Sequence, residues 1–303
     1  MTARAFPIVA LFGPTAVGKT EVAVALAETL SSQGVRCTAI SADAYQLYRG
    51  LEILSGAPGE DEQALLRHLL VGSHDVSEEM SAGRYAGEAH AAIDAVLAAG
   101  ELPIVVGGAG FYLKAALTEL EMRPPLTDSQ ESAAQERYGE RDTGELHRLL
   151  DEADPAAANS IDPGDRYRVV RALALLDAGL TAAPGDSFWA ASMRRPTLMI
   201  GLSRDREELY SRIDARVDQM VDRDAAGEIA RVSGASSTAR KIIGFEEIPE
   251  GRIDEMKQRT RRYAKRQLTW MRRIPELELI DLTVTEPGEA AQLIARSWAA
   301  MAE

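Results

Sequence analysis

A chain of 303 residues, 46% hydrophobic and 27% charged, is long enough to bury a full α/β core and still carry an insert or a second small domain, and its composition is that of an ordinary soluble globular protein. A net charge of −13 argues against indiscriminate nucleic-acid binding, and Cys37, as the single cysteine, excludes disulfides within the chain. Four scattered histidines offer no zinc-ligand spacing, and without a signal peptide or a run of about 18 apolar residues the expected home is the cytosol, with no membrane partner.

Pro7 to Phe12 is an apolar run of strand formers, and Glu21 to Leu30 carries Val22, Leu26 and Leu30 at helical spacing. Between them Gly13-Pro14-Thr15-Ala16-Val17-Gly18-Lys19-Thr20 matches G-x-x-x-x-G-K-[ST]. Strand, loop and helix follow one another. The two glycines allow backbone N–H groups to converge on phosphate oxygens at a helix N-terminus, Lys19 adds a mobile charge, and Thr20 offers a hydroxyl to a divalent cation. The loop is therefore expected to hold a polyphosphate with its metal. The plainer alternative, a glycine-containing turn, is disfavoured by composition, because the lysines are only Lys19, Lys114, Lys241, Lys257 and Lys265 among 34 basic residues.

Val35 to Ser41 reads as a second buried strand, which delivers Asp43 to the carboxyl edge of a parallel sheet, where ligands of such sheets bind. A carboxylate there serves either as a general base or as a turn or N-cap residue. Residues 51–80 are loop-rich with a short helical piece at Glu60 to Leu69. Ser81 to Ala99 is an Ala-rich helix, and Leu102 to Gly108 is a third strand that ends in glycines rather than in an acid. The missing acid weakens a nucleotide-hydrolysing reading, since such loops commonly use one for magnesium.

From about Glu119 to Arg195 the strand pattern stops, bracketed by Pro124-Pro125 and Pro184-Gly185, with helices expected at Gly144 to Leu150 and Asp165 to Asp177. The expected division is a core of residues 1–118 and 196–303 with a helical insert of residues 119–195, of the kind that often forms a lid. Arg166, Arg168 and Arg171 on the second helix are either a solvated face or contacts for an anionic partner. Thr197 to Ser203 restores the sheet, a helix from Arg206 to about Val221 carries Arg212 and Arg216 on one face, and a glycine-marked loop follows at residues 240–245. The helix Asp254 to Arg273 then holds eight basic residues and no acid from Met256 to Ile274. Tyr263, Gln267 and Trp270 share a face beside Arg262 and Arg266. This stripe either neutralises phosphates and stacks on unpaired bases or is a solvated face over a packed Trp270. Leu277 to Leu282 and Pro287 to Ala299 close the chain as strand and helix.

In order, the segments GPTAVGKT, ISADAYQLYRGLEI, residues 102–117, RYRVVRAL, IIGFEE and RRYAKRQLTWMRR resemble those of the tRNA dimethylallyltransferases, or tRNA isopentenyltransferases, over roughly residues 8–282. The resemblance implies an α/β P-loop kinase-like parallel sheet with a helical insert. It also implies transfer of a dimethylallyl group from dimethylallyl diphosphate to the exocyclic amine of the adenosine 3′ to the anticodon. Gly13, Pro14, Thr15, Ala16, Val17, Gly18, Lys19 and Thr20 are then the diphosphate loop, Thr20 the ligand of Mg²⁺, Asp43 the general base and Arg216 a further contact of the diphosphate. Asp43, Ala44, Tyr45, Gln46, Arg168, Arg171, Lys241, Gly244, Phe245, Lys265, Arg266, Gln267, Trp270 and Arg272 fall where the family touches tRNA, and the working state is expected to be a monomer on the anticodon stem-loop.

This chain departs from the family at several positions: Ala109 replaces a threonine, Ala57 a lysine, Arg67-His68 a histidine pair, and Ser132 an early insert arginine. Each departure removes a plausible substrate contact. Two rival readings follow, a small-molecule kinase that places ATP in the same loop and a tRNA-binding homologue with weakened chemistry.

Overall fold

The computed structural model describes residues 7–119, 126–182, 192–274 and 277–302, so the two dipeptides expected to bracket the insert lie outside the described residues. Six parallel strands make one sheet in the order β3-β2-β4-β1-β5-β6: β1 Ile8–Phe12, β2 Cys37–Ser41, β3 His68–Leu69, β4 Leu102–Gly107, β5 Thr197–Ser203 and β6 Glu278–Asp281. Every residue of β1 is buried, as a central strand covered on both faces requires. Its register pairs Phe12 with Gly107 on one side and Gly201 on the other, so the chain leaves β1 flanked by a glycine of each neighbouring strand.

Helix α1 (Lys19–Ser31) presents Val22, Leu26 and Leu30 to the sheet and packs against α13 (Pro287–Ala302), the last helix of the chain. Trp298 on α13 donates its indole N–H to Pro7 O at 2.8 Å, tying the end of the chain to the entry of β1. Helices α4 (Ala82–Ala98) and α5 (Gly110–Leu117) flank β4 and pack on each other. Ser81 caps α4 by accepting from Arg84 N.

Part of the stretch 51–80 is ordered differently from its loop-rich expectation. It holds α2 (Glu52–Ser55) and α3 (Glu60–Leu65), but Leu66 turns extended and His68–Leu69 joins the sheet beside Ala39 and Ile40 of β2. Two residues of strand carry no local signature; the vacant edge of β2 recruits them. Helix α10 (Arg206–Asp222) follows β5, and α11 (Ala225–Arg231), α12 (Ile253–Met271) and the 3₁₀ turn Ala239–Lys241 complete this unit.

The chain divides into two compact units, residues 1–118 with 193–303 and residues 119–192. Considered by itself, the smaller unit holds α6 (Asp128–Tyr138), α7 (Thr143–Ala153), α8 (Pro155–Ser160) and α9 (Arg166–Asp177) around Leu146, Leu150, Ala157 and Val169, all fully buried. Its helices start on side-chain caps from Thr127, Asp142, Asp154 and Asp165. Arg166 is neither solvated nor available to an anion, because its guanidinium donates to Tyr138 O at 2.8 Å and Gly139 O at 2.5 Å, closing the end of α6. Arg168 and Arg171 remain at the surface, beside Asp165 at 3.3 Å and Glu131 at 4.0 Å.

Candidate active site

The loop between β1 and α1 is a backbone cradle in which the carbonyls of Gly13, Pro14, Ala16 and Val17 are each taken by a basic side chain. Gly18 has φ +113°, a conformation that a side chain would strain, and Ala16 is also left-handed at φ +63°. Arg212 Nε donates to Ala16 O and Arg204 Nε to Val17 O, each at 2.9 Å. Because N–H and C=O point opposite ways across a trans peptide, Arg204 turns the N–H of Gly18 in the other direction, while the N–H of Val17 donates within the loop to Pro14 O at 3.3 Å. Lys19 Nζ donates to Gly13 O at 3.0 Å and Pro14 O at 2.9 Å, folded back over the loop it serves. Sequence reasoning overlooked Arg204, since nothing in its neighbourhood marks an arginine 187 positions from its partner as part of the loop.

This cradle forms one wall of a cleft of about 570 Å³ that also takes in Thr20, Asp43, Tyr45, Arg216 and Tyr263. Protein packing around the Lys19 ammonium lowers its pKa to about 8, while the Asp43 carboxylate opposes the shift and the Arg216 cation adds to it. Burial likewise lowers Arg216 below the ordinary guanidinium range, and again Asp43 works against burial. Asp43 is therefore the carboxylate of the cleft that supports the charge of both cations. Its Oδ1 accepts from Tyr45 N at 3.0 Å, so the turn role and the cleft position coexist in one residue.

Arg216 is held by loop geometry that the sequence hides. Its Nη2 donates to Gly56 O at 2.7 Å, and a Cβ added to Gly56, where φ is +59°, would stand 1.7 Å from that nitrogen. Gln46 reaches the same carbonyl through Nε2 at 3.2 Å while its Oε1 accepts from Ser41 Oγ at 2.8 Å. Helix α2, which leads into this loop, is held by buried Glu228, which accepts from Ile53 N and Leu54 N at 2.8 Å each. Burial raises the Glu228 pKa, with the two amides pulling the other way.

The basic stripe of α12 is not uniformly available. Lys257 pairs with Asp218 at 2.6 Å, Arg259 with the buried Glu247, and Arg261 with Asp214 through Nε at 3.0 Å. These three cations are spent inside the protein, which corrects the reading of one continuous stripe; the acids that neutralise them sit on α10 and in the 242–247 turn, out of sight of a linear scan. Among the described residues no ion pair is made by Arg262, Lys265, Arg266 or Arg272, and all four are exposed. Arg266 lies over the Tyr263 ring at 5.5 Å. The aromatics themselves face inward: Tyr263 lines the cleft, and Trp270 packs against Gly110 of α5.

The remaining expected tRNA residues divide by exposure. Ala44, Tyr45 and Gln46 are half-buried, the latter two lining the cleft, and Lys241 is exposed. Gly244 and Phe245 are buried, with Gly244 N donating to Glu247 Oε2 at 2.9 Å. Gln267, expected on the tRNA side, is 4% exposed and its Oε1 accepts from Thr15 N at 2.9 Å. Among the described residues there is no group of three or more His, Cys, Asp or Glu able to hold a metal, and no helix is long and apolar enough to cross a membrane.

Comparison with known proteins gives one consistent answer. Residues 46–274 match the model of the IPP transferase family. The tRNA dimethylallyltransferase of Symbiobacterium thermophilum is 35% identical, with 96% of each chain covered. That of Thermomicrobium roseum is 37% identical, covering 95% of this chain and 89% of the relative. Among solved structures, the full-length tRNA isopentenylpyrophosphate transferase from Bacillus halodurans superposes with a TM-score of 0.67 at 30% identity, covering 97% of both chains. A eukaryotic dimethylallyltransferase acting on tRNA gives a TM-score of 0.79 at 26% identity, covering 97% of this chain and 80% of that one.

Proposed function

The chain belongs to the IPP transferase family and acts as a tRNA dimethylallyltransferase, and from that premise we propose how its cleft divides the work. The loop from Gly13 to Thr20 binds the diphosphate of dimethylallyl diphosphate, with its N–H groups and Lys19 opposing the charge that grows as diphosphate leaves. Arg216, which lines the same cleft, contributes a second cation. The adenosine 3′ to the anticodon is extruded from its stack into the cleft, because a stacked base cannot reach a donor held at the cleft floor. Its exocyclic nitrogen forms a bond to the terminal allylic carbon, the carbon–oxygen bond to diphosphate breaks with its electron pair going to oxygen, and Asp43 accepts the amine proton. The single observation that carries this reading is that Asp43, Lys19 and Arg216 line one cleft with the P-loop, where the carboxylate supports the charge of both cations.

Mg²⁺ fits this donor set. It keeps most of its shell as water and substrate oxygen, and Thr20 at the start of α1 lines the cleft to supply one protein oxygen beside the diphosphate. The ion would neutralise leaving-group charge. On the tRNA side, Arg262, Lys265, Arg266 and Arg272 meet phosphates as exposed, unneutralised cations, with Lys241 beside them in the reading and Trp270 behind. Tyr45 and Gln46 line the cleft that receives the base, with Ala44 beside them in the chain. On the smaller unit, Arg168 and Arg171 are surface cations suited to the same polyanion. The chain works as a monomer on the anticodon stem-loop.

The test is direct. Incubation with undermodified tRNA, Mg²⁺ and either dimethylallyl diphosphate or ATP, followed by mass spectrometry of the nucleosides, is expected to give the prenylated adenosine with the allylic donor alone. Phosphorylated product with ATP, or tRNA binding with no product from either, would replace this reading with one of its rivals.

A further inference from the structure

Helix α12 buries Met256, Ala264, Gln267 and Met271, and Gln267 is the one strongly polar side chain in that set. A buried amide needs partners, and its carbonyl end has one in Thr15 N. A backbone N–H can be met only by the amide carbonyl, which assigns Oε1 to Thr15 and turns Nε2 toward Gly108. Contact with Gly108 is close enough that a Cβ there would stand 2.2 Å from Nε2. A glycine after β4 is thus required for Gln267 to reach the loop at all.

The peptide unit joining Pro14 to Thr15 is consequently gripped at both ends, its carbonyl by Lys19 Nζ at 2.9 Å and its N–H by Gln267 at 2.9 Å. Every other clamp described on this loop is a cation on a carbonyl, from Lys19, Arg204 or Arg212. Among the described side chains Gln267 alone takes an N–H of this loop, and it does so without charge. A glutamate there would offer the same acceptor but would set a carboxylate against the diphosphate.

We infer that Gln267 is a positioning residue for the donor loop, holding the Pro14–Thr15 peptide in the orientation that lets the cradle receive diphosphate, and that it is not a contact of tRNA. The inference rests on the P-loop being the donor site. It places a donor-binding determinant on the inner face of the helix whose outer face carries the exposed cations, so one helix serves both substrates from opposite sides.

The test compares Gln267→Met, similar in size but without the acceptor, with Gln267→Glu. Donor affinity is read by calorimetry without tRNA, tRNA affinity separately, and turnover as kcat and KM. Loss of one buried hydrogen bond is expected to weaken donor binding about tenfold in Gln267→Met, with kcat and tRNA affinity within about threefold of the parent. Gln267→Glu is expected to bind donor more weakly still, and added salt should recover part of that extra loss, a response that general loosening of the fold would not give. Weakened tRNA binding with unchanged donor affinity would overturn the inference, as would equal, salt-insensitive losses in both variants. Lys19→Ala separates the premise from the inference: if it binds donor like the parent, the P-loop is not the donor site. If it loses donor while Gln267→Met keeps it, only the role of Gln267 falls.

Discussion

The donor loop and the basic helix both gather positive charge, and they use it in opposite ways. Around residues 13–20 the cations point at backbone: Lys19, Arg204 and Arg212 each donate to loop carbonyls, and the charge serves to shape the cradle as well as to attract anions. Along α12 charge is sorted by position. Its first half is neutralised by Asp214, Asp218 and Glu247, fastening the helix to α10 and to the turn before it, while its second half leaves Arg262, Lys265, Arg266 and Arg272 in solvent. Counting basic residues would rank the helix the stronger anion site; partners, not counts, decide what charge is left for a ligand.

Asp43 tests the donor side of that contrast most severely. Asn can still accept from Tyr45 N but cannot readily take a proton, so Asp43→Asn is expected to slow single-turnover prenyl transfer about a hundredfold or more, measured by rapid quench. Donor and tRNA affinities should stay within a few-fold. Transfer near the parental rate would leave Asp43 as a turn residue only.

On the helix side, removing two unpaired cations together in Arg262→Ala, Arg266→Ala is expected to weaken tRNA binding about tenfold at low salt and to flatten the salt dependence by a slope of roughly 1 to 2. Donor affinity should not move. An unchanged slope would mean that the exposed half of α12 is a solvated face.

A pH titration sharpens the donor side without mutation. The Lys19 ammonium, with its pKa lowered to about 8 by burial, is charged below that pH and neutral above it, and diphosphate favours the charged form. Donor affinity is therefore expected to be level from about pH 6.5 to 7.5 and to weaken by up to about tenfold per unit above pH 8, read by calorimetry. Constant affinity to about pH 9.5 would remove the ammonium from donor binding. The smallest effect belongs to the neutralised half of the helix. Arg261→Ala, which breaks a partly exposed pair with Asp214, should cost about 1 kcal/mol in urea unfolding and leave the salt slope of tRNA binding unchanged. A lower slope would show that paired cations also meet phosphates.

Much of this protein was determined by short-range sequence. Strand β1, the glycine-lysine loop and α1 are contiguous, so periodicity and one motif suffice to find them, and β5 agrees residue for residue with the expected Thr197–Ser203. The charge on α12 is equally plain in sequence. Tertiary structure alone decided which of those charges survive, because Asp214, Asp218 and Glu247 lie 47, 39 and 12 positions from their partners. It alone converted His68–Leu69 into a strand, since an open sheet edge supplied hydrogen bonds that local propensity did not ask for. Thr15 and Gln267, 252 positions apart, make the same point at the site itself: a motif states that a loop can hold phosphate, but the groups that orient its peptides arrive from elsewhere in the chain, where only packing brings them within hydrogen-bond reach.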